Sequence, residues 1–363
     1  MALILTDDEQ ALADSVRRFV ADRSPLTSLR QLMSSGDAFD ADVWKQMTAQ
    51  LGLSGLTIPE EYGGAGAGKS ALSVALVELG AGLVASPLLA CVLAAEVLQR
   101  LDDDAARRQL LPQLAEGELI AALALASSAG GRVTASGSGG AVTLTGSVSP
   151  VLNGVEADVL LVPAKTPETA AVICLLSGDG DGVIRSRLTA VDHSRSLARI
   201  ELAEAPARVL DGDATAALSA AVDLANLALA SESAGAMKRC LDMTSEYAKI
   251  RVAFGQPIGA FQAVKHRLAD MEKAWELGNA ALRDAARAAD EEPGRFPVAA
   301  SVARVMLADA YAEAAVDTVQ LHGGIGYTWE HDAHLYFKNG LSNKVLLGAP
   351  GEQLDRLADE LGI

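Results

Sequence analysis

From residue 214 to 251 the chain carries one very long apolar, Ala-rich pattern at helical spacing, and two further helical patterns follow over 261–290 and 296–321. Three helices of roughly 25 residues or more, joined by short connections, bury their apolar faces best as an antiparallel bundle. Shorter helical patterns at 331–347 and 351–361 complete the chain.

The two connections within this bundle carry the chemistry. The first reads Arg251-Val252-Ala253-Phe254-Gly255-Gln256-Pro257-Ile258-Gly259-Ala260-Phe261-Gln262, a tight Gly-Gln-Pro turn and a short loop closed by Gly259. Arg251 ends one helix and Gln262 opens the next, so a cation and amide donors surround one corner where a phosphate could rest. The third helix ends in Gln320-Leu321-His322-Gly323-Gly324-Ile325-Gly326-Tyr327. Taken alone, its glycine pair is a helix stop. Its functional reading is close approach of backbone to a ligand, with Gln320 supplying an amide. No strand precedes it, so it is not a Rossmann fingerprint.

Ahead of residue 214 the chain has two parts. Thr6 and Glu9 form a capping box opening a helix over about residues 7–21, and helical patterns follow at 41–51, 69–83, 86–101 and 104–115. They are interrupted by Pro59-Glu60-Glu61-Tyr62-Gly63-Gly64-Ala65-Gly66, whose plain reading is a surface turn. From 119 to about 210 the pattern becomes short runs rich in Val, Ile, Leu and Thr, at 119–126, 141–145, 159–163 and 171–176, which predict a mostly antiparallel β region. Residues 127–140 read as a flexible loop with a hairpin turn at Gly139-Gly140.

A formal charge of -17 argues against nucleic acid or an anionic membrane surface as partner, while leaving room for an anionic ligand in a local cationic pocket. Cys91, Cys174 and Cys240 lie far apart, which predicts buried thiols in a reducing cytoplasm, with no disulfide and no metal site. The N-terminal residues lack a cleavable leader pattern, and no uncharged apolar run reaches membrane-spanning length. Among the remaining residues, His266 reads as solvated, and Tyr327 and Trp329 as packing a turn. His322, His331 and His334 have no carboxylate-rich or cysteine pattern nearby to make a metal site.

Arg251, Phe254, Phe261-Gln262 and Gln320 to Gly324 resemble, in order and spacing, the positions where acyl-CoA dehydrogenases contact the adenosine diphosphate half of FAD, and the 59–66 string resembles a loop of their N-terminal domain. The resemblance covers nearly the whole chain. It implies an α+β fold with an N-terminal helical domain (1–117), a middle β-barrel-like domain (118–212) and a C-terminal four-helix bundle (213–363). It further implies that Arg251, Phe254, Phe261, Gln262, Gln320, Leu321, His322, Gly323 and Gly324 serve an FAD seated in a neighbouring subunit. Arg251 would pair with the pyrophosphate, and Gln320 with Gly323-Gly324 would line the adenine end. Acyl-CoA as substrate and electron-transfer flavoprotein as acceptor follow from the same resemblance.

Members of that family remove the α-proton of a thioester with a carboxylate while the β-hydride goes to the flavin. The base commonly lies in a late Tyr-Glu-Gly-Thr segment, which here corresponds to Leu346-Leu347-Gly348-Ala349, and leucine holds its place. In other members it lies on the long helix, at a position that falls on Ala225, followed by Asn226. Glu232 lies two helical turns on, roughly 10 Å along the axis, and Glu352 follows the late segment. The flavin-facing Thr-Glu-Pro-Gly-Ala-Gly-Ser-Asp loop and Trp-Ile-Thr step correspond to Ala126-Ser127-Ser128-Ala129-Gly130-Gly131 and Pro150-Val151-Leu152. Each hydroxyl lost there costs about 1 kcal/mol of flavin contact. These departures fall on the half of the site that a subunit builds for itself. They imply a non-catalytic partner similar to the β-type subunits of actinobacterial α2β2 enzymes that oxidise bulky or steroid-derived acyl-CoA. The alternatives are a homotetramer with Glu232 or Glu352 as a displaced base, and a structural subunit without flavin.

Overall fold

The computed structural model describes residues 4–125, 131–138, 140–166, 171–348 and 350–363. The elements run α1 (Asp7–Arg23), α2 (Leu26–Ser35), α3 (Ala41–Leu51), α4 (Lys69–Ala81), α5 (Leu88–Arg100) and α6 (Asp104–Glu116). Then come strands β1 (Ala121–Leu123), β2 (Gly131–Ser138), β3 (Ala141–Leu152), β4 (Val159–Ala164), β5 (Val172–Ser177), β6 (Val183–Arg187) and β7 (Leu197–Val209). Helix α7 (Ala214–Ile250), a small hairpin of β8 (Val252–Ala253) and β9 (Gln256–Pro257), α8 (Gln262–Glu291), α9 (Phe296–His322), α10 (Ala333–Val345) and α11 (Pro350–Leu361) complete the chain. This is the α+β arrangement expected, helices on either side in sequence of a curled sheet.

The Thr6 capping box forms as the sequence predicts, with the Thr6 hydroxyl accepting from the Glu9 amide at 3.2 Å and the Glu9 carboxylate accepting from the Thr6 amide at 2.8 Å. One helix was not foreseen: α2, which follows Pro25 with three hydroxyl or amide residues among its first six. Such residues favour caps over helix interiors and blur the helical pattern.

The chain packs into two compact units, one of residues 1–30, 69–84 and 226–363, the other of 31–68 and 85–225. In the second unit the sheet order is β1-β4-β5-β7-β3-β2, with β6 also on β7; β1 and β4 are parallel and the other pairs antiparallel. Its core is aliphatic, with Leu144, Leu160, Val162, Cys174, Ile200 and Ala205 fully buried. The expected flexible loop is instead strand β2 over 131–138, paired with β3 from Gly131↔Val148 to Ser138↔Ala141. That register leaves two residues for the turn where Gly139-Gly140 was expected, although Gly139 lies outside the described residues. The 59–66 string is a turn folded back on the residues before it: Ala65 N–H donates to Gly55 O and Gly66 N–H to Ile58 O, both at 2.9 Å. Gly64 presses so closely on Ile58 that a side chain would have no room.

In the first unit, α4 and α7 approach through small residues. The Ser73 and Ser231 hydroxyls are 2.8 Å apart, Gly80 faces the Glu232 backbone, and Gly235 faces Val77 O. Helices α8 and α9 pair along their length, and α10 and α11 pack on α9. Helix α7 is long and apolar enough to span a membrane by length and composition, a property the sequence reading did not assign to it; 67% of its most apolar window is buried within the fold. Burial on that scale is what a bundle's central helix shows.

Candidate cofactor-binding corner

Helix α7 ends at Ile250, and the chain reverses in a hairpin that pairs Val252 with Pro257 and Ala253 with Gln256. Phe254 and Gly255 fill the turn with φ of +52° and +79°, the two positive values that a tight hairpin turn needs. For phenylalanine this backbone costs on the order of 1 kcal/mol or more, and its ring is 95% exposed. It meets Phe261 edge-on at 6.2 Å. Arg251 keeps its backbone in the structure, donating to Tyr247 O at 2.9 Å and accepting from Ile258 N–H at 2.8 Å. Its guanidinium is exposed and has no hydrogen bond or ion pair among the described residues, and the Gln262 amide stands likewise.

The end of α9 is joined to this corner. The Tyr247 ring, one turn before Arg251, stacks on His322 at 4.5 Å with 27° between planes. One turn further back, the hydroxyl oxygens of Thr244 and Thr318 are 3.1 Å apart. The Gln320 amide is exposed and unpartnered among the described residues, and Gly323 (φ +62°) and Gly324 have open space where a side chain would stand. Two segments far apart in sequence thus present a cation, two amides and bare glycine backbone at neighbouring helix ends. That donor set, with exposed aromatic faces beside it, fits an anionic dinucleotide such as the adenosine diphosphate half of FAD.

The expected site residues are not all exposed. His322 is 3% exposed, its Nδ1–H donating to Thr318 O at 2.7 Å, so it is a packing residue that holds the corner together. Leu321 is half-buried. Sequence reasoning missed Tyr247, Thr244 and Thr318; the only signal was an aromatic and a hydroxyl at one-turn spacing ahead of Arg251. Tyr327 and Trp329, expected to pack a turn, are 72% and 67% exposed. Lys338 lies over the Trp329 ring at 4.1 Å, and His334 meets that ring at 4.9 Å.

The positions of a catalytic base are apolar. Leu347 sits in left-handed backbone (φ +58°) before Gly348. Ala225 is buried, and the buried Asn226 beside it leaves its amide nitrogen without a hydrogen bond. Glu232 on α7 and Glu352 in the first turn of α11 are both half-buried. Of the two flavin-facing stretches, Val151 and Leu152 are buried in β3; residues 126–130 and Ala349 lie outside the described residues. No group of three or more His, Cys, Asp or Glu able to hold a metal occurs among the described residues.

The three thiols are free and buried. Burial pushes Cys91 and Cys240 up to about 12 and Cys174 up to about 11. Since the thiolate is the reactive form, the native protein is expected to be silent to a thiol reagent at pH 8 and to titrate three thiols once unfolded. Rapid native labelling would show that the cores around them open.

Comparison with known proteins gives one answer throughout. The pattern of the acyl-CoA dehydrogenase N-terminal domain matches residues 6–118 and that of the C-terminal domain 215–362. Acyl-CoA dehydrogenase IpdE2 of Mycobacterium tuberculosis is 35% identical over 98% of both chains. Among solved structures, the ChsE4-ChsE5 complex of Mycobacterium tuberculosis superposes with a TM-score of 0.92 at 31% identity, covering 100% of this chain and 99% of that one. The Tcur3481-Tcur3483 steroid ACAD does so with a TM-score of 0.89 at 30% identity, covering 98% of each. The chain belongs to the acyl-CoA dehydrogenase family, FAD-dependent oxidoreductases acting on the CH-CH bond of acyl-CoA, and within it to the actinobacterial type.

Proposed function

We propose that this chain is a non-catalytic subunit of a heterotetrameric acyl-CoA dehydrogenase and completes the FAD site of a catalytic partner. The observation that carries the reading is the joined corner: Arg251, Gln262 and Gln320 face outward with no side-chain hydrogen bond or ion pair among the described residues, while Leu347 and Ala225 stand where a base would act. Bound FAD supplies the hydride acceptor. This chain's residues bind and orient its pyrophosphate and adenine end, Arg251 as the cation and Gly323-Gly324 by close backbone approach. Removal of the substrate proton falls to a carboxylate of the partner.

The division into 1–117, 118–212 and 213–363 belongs to the same reading. So do the cytoplasm as the place of action, electron-transfer flavoprotein as acceptor, and a bulky or steroid-derived acyl-CoA as substrate. Two relatives support the heteromeric and steroid parts: one structure is a complex of ChsE4 with ChsE5 and another is a steroid ACAD. Assay of the pure chain with added FAD, acyl-CoA and an artificial electron acceptor should show no turnover above background. Turnover by the chain alone would make it a self-sufficient enzyme with Glu232 or Glu352 as the base to test.

A further inference from the structure

We infer that His322 and His331, clamped against Tyr247, form an acid-sensitive latch that keeps the cofactor-facing ends of α7 and α9 in register. The inference rests on the reading of the corner given above and adds a condition under which the corner lets go.

The three rings meet in series: Tyr247 stacks on His322 at 4.5 Å, and His322 meets His331 at 4.3 Å with the planes tilted by 47°. Hydrogen bonds set which nitrogen of each neutral ring carries the proton. His322 Nδ1 faces Thr318 O at 2.7 Å and therefore carries the proton, leaving a buried Nε2 with no hydrogen-bond partner among the described residues. His331 Nδ1 accepts from the Ala333 amide at 3.2 Å, the first residue of α10, and must be bare.

A second proton is badly placed on either ring. On His322 it creates a buried N–H with no acceptor, beside another imidazole. On His331 it turns the acceptor that caps α10 into a donor facing a donor. The groups around the three rings do not compensate. Tyr247 comes from α7, Thr318 from α9 and Arg30 from α2; Trp329, Asp332, His334 and Lys338 lie before or on α10. Arg30 and Lys338 add positive charge, and the Asp332 carboxylate is already paired with Arg30 at 2.7 Å. Burial is the first cause holding His322, His331 and His334 below the usual histidine value.

The unfolded or opened corner therefore binds more protons than the closed one below about pH 6.5, so the latch is fully formed above that value and weakens as pH falls. Opening should grow about tenfold per pH unit for each proton coupled to it.

Amide hydrogen exchange of 320–335 in the chain alone, corrected for intrinsic rates, reads the latch without flavin. Between pH 7.5 and 5.5 protection should fall at least about tenfold in the natural protein. His322→Phe keeps a ring on Tyr247 with no titrating nitrogen, and His331→Asn keeps a non-titrating acceptor for Ala333; both together should reduce the fall to less than about twofold. If His322→Phe fails to fold, His331→Asn carries the comparison with a partial reduction. Flat protection in the natural protein, or an equal fall in the variants, would overturn the inference. The second reading is flavin released from the complex over the same range. Exchange that opens while flavin stays bound removes the latch's role and leaves the corner's function intact. Flavin bound as tightly after loss of Arg251 removes the corner's function, and the exchange data then decide the latch alone.

Discussion

Replacing Arg251 by alanine is expected to weaken flavin binding by the assembled enzyme roughly 10- to 100-fold while leaving this subunit as stable as before. The first half follows from charge. A guanidinium on a phosphate makes charge-assisted hydrogen bonds worth about 1.5–3 kcal/mol. The second half follows from exposure: the Arg251 side chain is outside the core and makes no hydrogen bond or ion pair among the described residues. Truncating such a side chain changes stability by within about 0.5 kcal/mol. Flavin fluorescence on dilution of the complex reads the affinity, and a urea melt of the chain alone reads the stability. Retained flavin would remove Arg251 from the site; a large loss of stability would make the residue structural.

The largest effect on stability is expected at Gly235. A methyl group there would lie 1.8 Å from Val77 O and 2.7 Å from Val77 C, atoms of α4's backbone that no rotamer change can move aside. Gly235→Ala should therefore cost about 3 kcal/mol, the upper end for overpacking, as α4 and α7 are forced apart. Gly294→Ala is the control, because nothing lies within 4 Å of its added methyl. It should change stability by less than about 1 kcal/mol, toward stabilisation, by restricting the unfolded chain. Equal urea midpoints for the two variants would mean that the α4–α7 approach is looser than described.

The long helices were legible because their apolar periodicity runs over many turns: α7, α8 and α9 fall within one or two residues of the bounds the sequence predicts. The sheet was only half legible. Strand β7 is the spine on which β3, β5 and β6 pair, yet its Leu-Ala-Arg-Ile-Glu-Leu-Ala-Glu-Ala run is rich in alanine and charge, which are poor strand signals. Its inward face needs only Ala198, Ile200, Leu202 and Ala205, and pairing with long neighbours does the rest. Strand β2 was hidden by Gly and Ser in the same way; it forms because it lies antiparallel on β3, paired from Gly131↔Val148 to Ser138↔Ala141.

In the site, outward-facing donors were legible as a motif, and the inward-facing supports were not. Arg251, Gln262 and Gln320 stand out because charge and amides are conspicuous among apolar helices. Tyr247, Thr244 and Thr318 look like ordinary helix residues, and only the fold shows that they join α7 to α9. For His322 the motif gave no sign of burial, since exposure cannot be read from the residue type. It packs inward on Tyr247 while its glycine neighbours face out.

The central claim is that this chain supplies half of a flavin site whose other half belongs to a different subunit. Counting FAD per chain, by absorbance and native mass, in the pure protein and in its complex with a catalytic acyl-CoA dehydrogenase subunit tests it most directly. The expected result is no retained flavin in the chain alone and about one FAD per pair of unlike chains in the complex. A full complement of one FAD per chain in the pure protein would contradict it.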